Sequence, residues 1–181
     1  MTSYQNALSA HYGNTWKSIP NVKQLTAGPM RNFAPDFHIL EFPPYPGRDM
    51  WTYATNGMSL GSKNSIELHI FSTKKDSSLI ELLTVVAHYS LTGTQLNLGQ
   101  TINFGRPWQE DSHCTHGLIS LPYLDGPELE KVKGYSTKCY WVVPITQQER
   151  NFKAEFGQEA LEEKFDVAQI DYVNPNRPSV V

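Results

Sequence analysis

Cysteine is nearly absent from the 181-residue chain: only Cys114 and Cys139 occur. Their separation fits no zinc spacing, and two thiols make no disulfide framework, so the simplest reading in a reducing compartment is two free thiols. A single bridge between them stays open on sequence grounds. Long apolar runs are missing too. The opening residues, MTSYQNALSAHYGNTWK, are polar and interrupted by Gly13, so neither a secretory leader nor a membrane anchor is legible, and a cytoplasmic protein without membrane contact is expected. Charge is sparse, at 18% Asp, Glu, Lys and Arg with a formal net charge of -3. That supplies neither a basic field for phosphate backbones nor an acidic field that imitates nucleic acid. Lys74-Lys75 and the pair Lys131 and Lys133 come closest to basic clusters and read as solvated turns, so no nucleic-acid partner is expected. The stretch GMSLGSKNS from Gly57 has no Walker order and leads into no helix, which removes a phosphate loop.

What is present is apolar and aromatic material, 39% and 12% of the residues, enough for one core in a single domain spanning 1–181. The first sixteen residues have Tyr4, Leu8, His11 and Tyr12 at helical spacing and predict a helix ending at Gly13 and packing on a sheet edge. FHILEF (Phe37 to Phe42) reads as a strand stopped by PPYPG. MWTYATNGM reads as a second strand, in which Trp51, Tyr53 and Thr55 alternate before Asn56-Gly57, residues that tolerate positive φ. SIELHIFS is a third, with Ile66, Leu68 and Ile70 on one face and Glu67, His69 and Phe71 on the other. SSLIELLTVVAHYSL predicts a well-buried helix, capped by Ser78 and Glu81, whose apolar stripe of Leu79, Leu82, Leu83, Val86 and Tyr89 is widened by Ile80, Val85 and Ala87. HGLISLPYL and KCYWVVPI read as two more strands, the second central and covered on both faces. A capping box at Thr146 and Glu149 then opens a helical pair divided by Gly157, and residues 174–181 read as a loose tail. The fold class is therefore α/β in the broad sense (α+β), a mixed β-sheet flanked by helices in a single compact domain.

The densest reactive stretch is GRPWQEDSHCTHG, Gly105 to Gly117. His113, Cys114 and His116, with Asp111 or Glu110, have the residue types of a metal site, and a metal-dependent enzyme is one reading. Zinc loops draw their second ligand pair from elsewhere in the chain, however, and none exists here, so the spacing favours a polar loop leading into a strand. Cys114 with a histidine base, His69 or His88, would make a nucleophilic pair, but a buried structural cysteine is the plainer reading. Glu41 and Glu67 read as acids on exposed strand faces, not as a catalytic pair. No catalytic residue, cofactor or metal is assigned.

Several segments, in order, resemble the Suppressor of Fused domain family: WTYATNGMS (Trp51 to Ser59), IELHIF (Ile66 to Phe71), LIELLTVVAHY, LGQTINFGRPW (Leu98 to Trp108), GLISLPY, and YWVVPITQQERNFKAEFGQEALEEKF (Tyr140 to Phe165). The resemblance spans about 37–165 and is to the short, single-domain bacterial type. It implies a mixed α/β domain that binds protein and has no enzymatic activity. The two-domain animal relative restrains a transcription factor of Hedgehog signalling by clamping a peptide between its domains; this chain resembles the amino-terminal domain alone, so that role is not carried over. Short bacterial relatives act as immunity proteins, which makes the expected partner a toxin encoded nearby, with a regulatory scaffold for an endogenous protein as the alternative. In the family the peptide-facing strand corresponds roughly to GLISLPYLDG. A free edge there would place Tyr123 and Asp125 as partner-binding groups.

Overall fold

Two capping boxes bracket the chain. In the computed structural model, which describes residues 1–25, 36–60 and 65–181, helix α1 (Ser3–Trp16) opens with Thr2 and Gln5 each accepting a backbone N–H of the other. Near the far end, Thr146 and Glu149 open α4 (Gln147–Phe156) in the same way, as the sequence predicts. Between them lie β1 (Asn21–Lys23), β2 (His38–Phe42), β3 (Trp51–Asn56), β4 (Ile66–Ser72), α2 (Ser78–Thr92), β5 (Thr101–Asn103), β6 (Cys114–Ser120), the short α3 (Pro127–Glu130) and β7 (Lys138–Thr146). Helix α5 (Gln158–Ala168) follows Gly157, whose φ of 92° separates it from α4.

The strands form one sheet in the order β1-β2-β3-β4-β7-β6-β5. Every pairing is antiparallel except β4 with β7, because the chain leaves the sheet after β4, builds α2 and the β5–β6 hairpin, and returns to the centre as β7. This is the mixed sheet flanked by helices that was expected. Helix α2 covers one face, against Ile39, Tyr53, Ile66, Leu68, Ile70 and Val142. The other face is shared. At one end Leu8, Tyr12 and Trp16 of α1 pack on Leu40, Phe42 and Ala54, and at the other Leu161 and Phe165 of α5 pack on Phe71, Leu118, Trp141, Val143 and Ile145.

Four expectations need correction. First, α1 runs through Gly13 and stops only at Lys17, in the left-handed region at φ 48°. It lies across a sheet face, since its i, i+4, i+8 row of large side chains reaches a face and not an edge. Second, Ser78 does not cap α2: Ser77 holds the cap position without a side-chain bond, and Asp76 Oδ1 accepts the Ser78 N–H at 2.9 Å instead. Third, residues 174–181 are not loose. Arg177 is buried, pairs with Glu149 at 2.6 Å and donates to the Pro144 carbonyl at 2.9 Å, while the Val180 N–H also reaches Glu149.

Fourth, Glu41 and Glu67 are not on exposed faces; their relative exposures are 1% and 0%. Glu41 sits near Lys75 at 3.3 Å and Lys23 at 3.7 Å. Glu67 is saturated. It accepts from Tyr4 Oη at 2.8 Å, Thr55 Oγ1 at 2.6 Å, Ser59 Oγ at 2.9 Å and the backbone N–H groups of Gly57, Met58 and Ser59 at 3.0 to 3.2 Å. Gly57, at φ 110°, turns three successive amides toward one carboxylate, a backbone anion nest. Both cysteines are free and buried.

Candidate functional site

The residues singled out by sequence do not form one site. His113 is exposed, whereas Cys114 and His116 are buried in β6, on either side of a register shift. Cys114 packs into the core beneath α2, and burial, only partly opposed by Arg177, pushes its thiol pKa up, the opposite of what a nucleophile needs. Among the described residues no three His, Cys, Asp or Glu side chains gather to hold a metal. His69 is sealed between α1 and the sheet, where desolvation and then the Arg48 charge lower its pKa to about 3. Such an imidazole is neutral and shielded from any substrate.

Tyr123 and Asp125 part company as well. Tyr123 is 60% exposed. The Asp125 carboxylate is bound to Arg48 at 2.5 Å and lies 3.9 Å from His69, and Arg48 itself lies over the rings of Trp16 and Phe71. Asp125 thus closes the seam between the α1 and α5 halves of that face and is spent internally. The edge of GLISLPY is also taken: β6 is paired with β7 along its length and with β5 at Thr101–Asn103.

That pairing moves the free edge to β5. In its antiparallel ladder with β6, the Ile119 N–H reaches the Gln100 carbonyl at 2.9 Å and the Phe104 N–H reaches the Thr115 carbonyl at 3.0 Å. Backbone groups alternate along such a ladder, so Gln100, Ile102 and Phe104 face β6 while the main chain of Thr101 and Asn103 faces outward. Beside this edge runs a groove of about 350 Å³ between β5 and α2. Its apolar walls are Leu82, Val85 and Val86 on one side and Ile102 and Phe104 on the other, with Tyr89 at the rim. All of Thr101 to Phe104 line it, so the groove follows the strand's edge and not merely one of its faces. Val85 and Tyr89 are 46% and 45% exposed. The charged groups that line it, Glu81 and Arg106, cancel in sign, and Arg106 is tied to the Ser78 carbonyl at 2.8 Å. Sequence reasoning missed this site, although the signals were present: the β-branched pair in TINF, and Val85 lying outside the main stripe of its helix.

An apolar groove beside outward-facing main chain is a geometry to which an extended peptide can add. The profile of the family described as Suppressor of fused protein (SUFU) matches residues 34–178. The chain belongs to that family. A SUFU homologue from Neisseria gonorrhoeae FA 1090 is 36% identical and superimposes with a TM-score of 0.90 over 98% of this chain and 97% of that one. Two more distant structures, each 14% identical, share the fold. One is a chain of the Sufu-Fu complex, with a TM-score of 0.67 over 98% of this chain and 92% of that one. The other is Drosophila Suppressor of Fused, with a TM-score of 0.66 over 98% of this chain but 51% of that one. No curated protein matches the sequence significantly. Among the described residues no helix is long and apolar enough to cross a membrane.

Proposed function

We propose that this SUFU-family domain is a non-catalytic binding module of the cytoplasm that adds an extended segment of a partner protein to β5, and that the partner is a toxin which it neutralises stoichiometrically. One observation carries the reading: the outward main chain of Thr101 and Asn103 beside the apolar groove of Val85, Val86 and Ile102. Main-chain hydrogen bonds would supply affinity, and the groove would select the side chain that enters it. The seven-stranded sheet would continue through the partner's strand. The immunity role rests on the likeness to short bacterial family members, and the Sufu-Fu complex is a relative's precedent for a protein partner.

The test is co-expression with the product of the neighbouring gene. Restored growth and an isolable one-to-one complex are expected. Thr101→Pro removes an outward N–H without touching a β5–β6 bond, since edge strands accept proline there, and should weaken the complex about tenfold or more. Absence of both rescue and binding would overturn the toxin assignment, and capture of an endogenous regulator instead would favour the scaffold alternative. Full binding by Thr101→Pro combined with Val85→Asp would overturn the site.

A further inference from the structure

The proposed strand has two faces, and the structure sets different chemistry before each. Ile102 turns toward α2, as does Phe104, which packs against the same core. Thr101 and Asn103 turn to the opposite face, because their cross-strand neighbours are Leu118 and His116 and Leu118 belongs to the cluster under α5. Helix α4 covers β6 on this side. Its Arg150 lies close enough to His116 that the guanidinium adds to burial in lowering the imidazole pKa. Arg150 is exposed. Its side-chain hydrogen bond runs to the neighbouring Asn151 at 3.3 Å, and no carboxylate among the described residues forms an ion pair with it. The nearest acid in sequence, Glu149, is fully buried and consumed by Arg177. An unpaired cation therefore stands one strand in from the open edge, beside the row His116 to Asn103 that a further strand would extend. An arginine side chain is long and flexible enough to follow that row outward.

We propose that the segment recognised at β5 is an amphipathic strand, apolar where it faces α2 and acidic where it faces α4, with Arg150 as a specificity-determining residue. The inference rests on the strand-addition reading and names the partner's chemistry at that site. Side chains alternate between faces with a period of two, so the pattern is apolar-acidic-apolar across three residues. On the α4/α5 face the two ends of the edge differ: Glu162 is bound to Gln158, which lies against Gly99 before β5, whereas Arg150 stands by the His116–Asn103 end, so the acidic position of the partner is the one beside Asn103.

Random nine-residue peptides displayed on phage and selected against the intact protein provide the probe, followed by a synthetic pair of the best binder carrying Glu or Lys at the alternate position. Apolar-acidic alternation should be enriched. The Glu peptide should bind about two- to fivefold more tightly than the Lys peptide, the size of an exposed ion pair, and Arg150→Glu should reverse the order. Thr101→Pro should weaken both peptides alike, which reads strand addition separately from charge selection. No acidic enrichment, or an unchanged order in Arg150→Glu, would overturn this inference while leaving strand addition standing. Peptides that bind with no loss in Thr101→Pro would remove both.

Discussion

The centre of the sheet and its β5 edge handle the same backbone and side-chain groups in opposite ways. At the centre, Glu67 collects six donors from Tyr4, Thr55, Gly57, Met58 and Ser59, and nothing remains for a ligand. At the edge, a strand of three residues leaves the main chain of Thr101 and Asn103 facing outward beside exposed Val85 and Tyr89. Residues that stabilise the fold are thus separable from residues that the proposed partner strand would meet. A buried carboxylate is tolerated only when saturated, whereas an unpaired edge costs little as long as water solvates it.

Substitutions sharpen the contrast, and the largest effect belongs to the centre. Glu67→Leu takes the acceptor from the buried donors of Tyr4, Thr55, Gly57 and Met58 and should lower unfolding free energy by about 4 kcal/mol or more, measured by urea denaturation; a loss under about 1 kcal/mol would dissolve the distinction. Next comes Arg177→Met, which leaves Glu149 buried without its cation and should cost about 3 kcal/mol, with earlier proteolysis of the last residues. His69 should act through pH. Its folded pKa of about 3 lies below the ordinary 6.5, so the unfolded chain binds a proton that the native one refuses. Its stabilising contribution is complete above about 6.5 and is lost as pH falls toward 3, with a limiting slope of about 1.4 kcal/mol per pH unit. His69→Leu should flatten that limb, and an unchanged acid profile would count against the assignment. Smallest should be Val85→Asp, which ought to leave stability within about 0.5 kcal/mol while weakening partner binding; a large drop in melting temperature would show that the edge is part of the core.

Much of the fold was legible. Alternation in SIELHIFS placed Ile66, Leu68 and Ile70 together beneath α2, and Thr146 with Glu149 marked the start of α4, because both signals are local. Burial of acids was not legible. Glu67 reads as a surface acid until α1 lays Tyr4 on it and Gly57 turns its amides inward. The loose reading of 174–181 failed for the same reason, since Arg177 finds Glu149 only in three dimensions. For the site, Tyr123 is exposed, whereas Asp125 is held by Arg48, a partner 77 residues away in sequence.

By itself the sequence determined the longer strands and helices, the cap of α4, the positive-φ turn at Gly57 and the family. It could not determine the order of strands. Inserting β7 between β4 and β6 buries the edge of GLISLPY and leaves β5 outermost, and that choice decides where the proposed partner strand would add. Period and capping are set by residues within a few positions of each other, whereas a strand's neighbours are set by which distant apolar faces can be buried together.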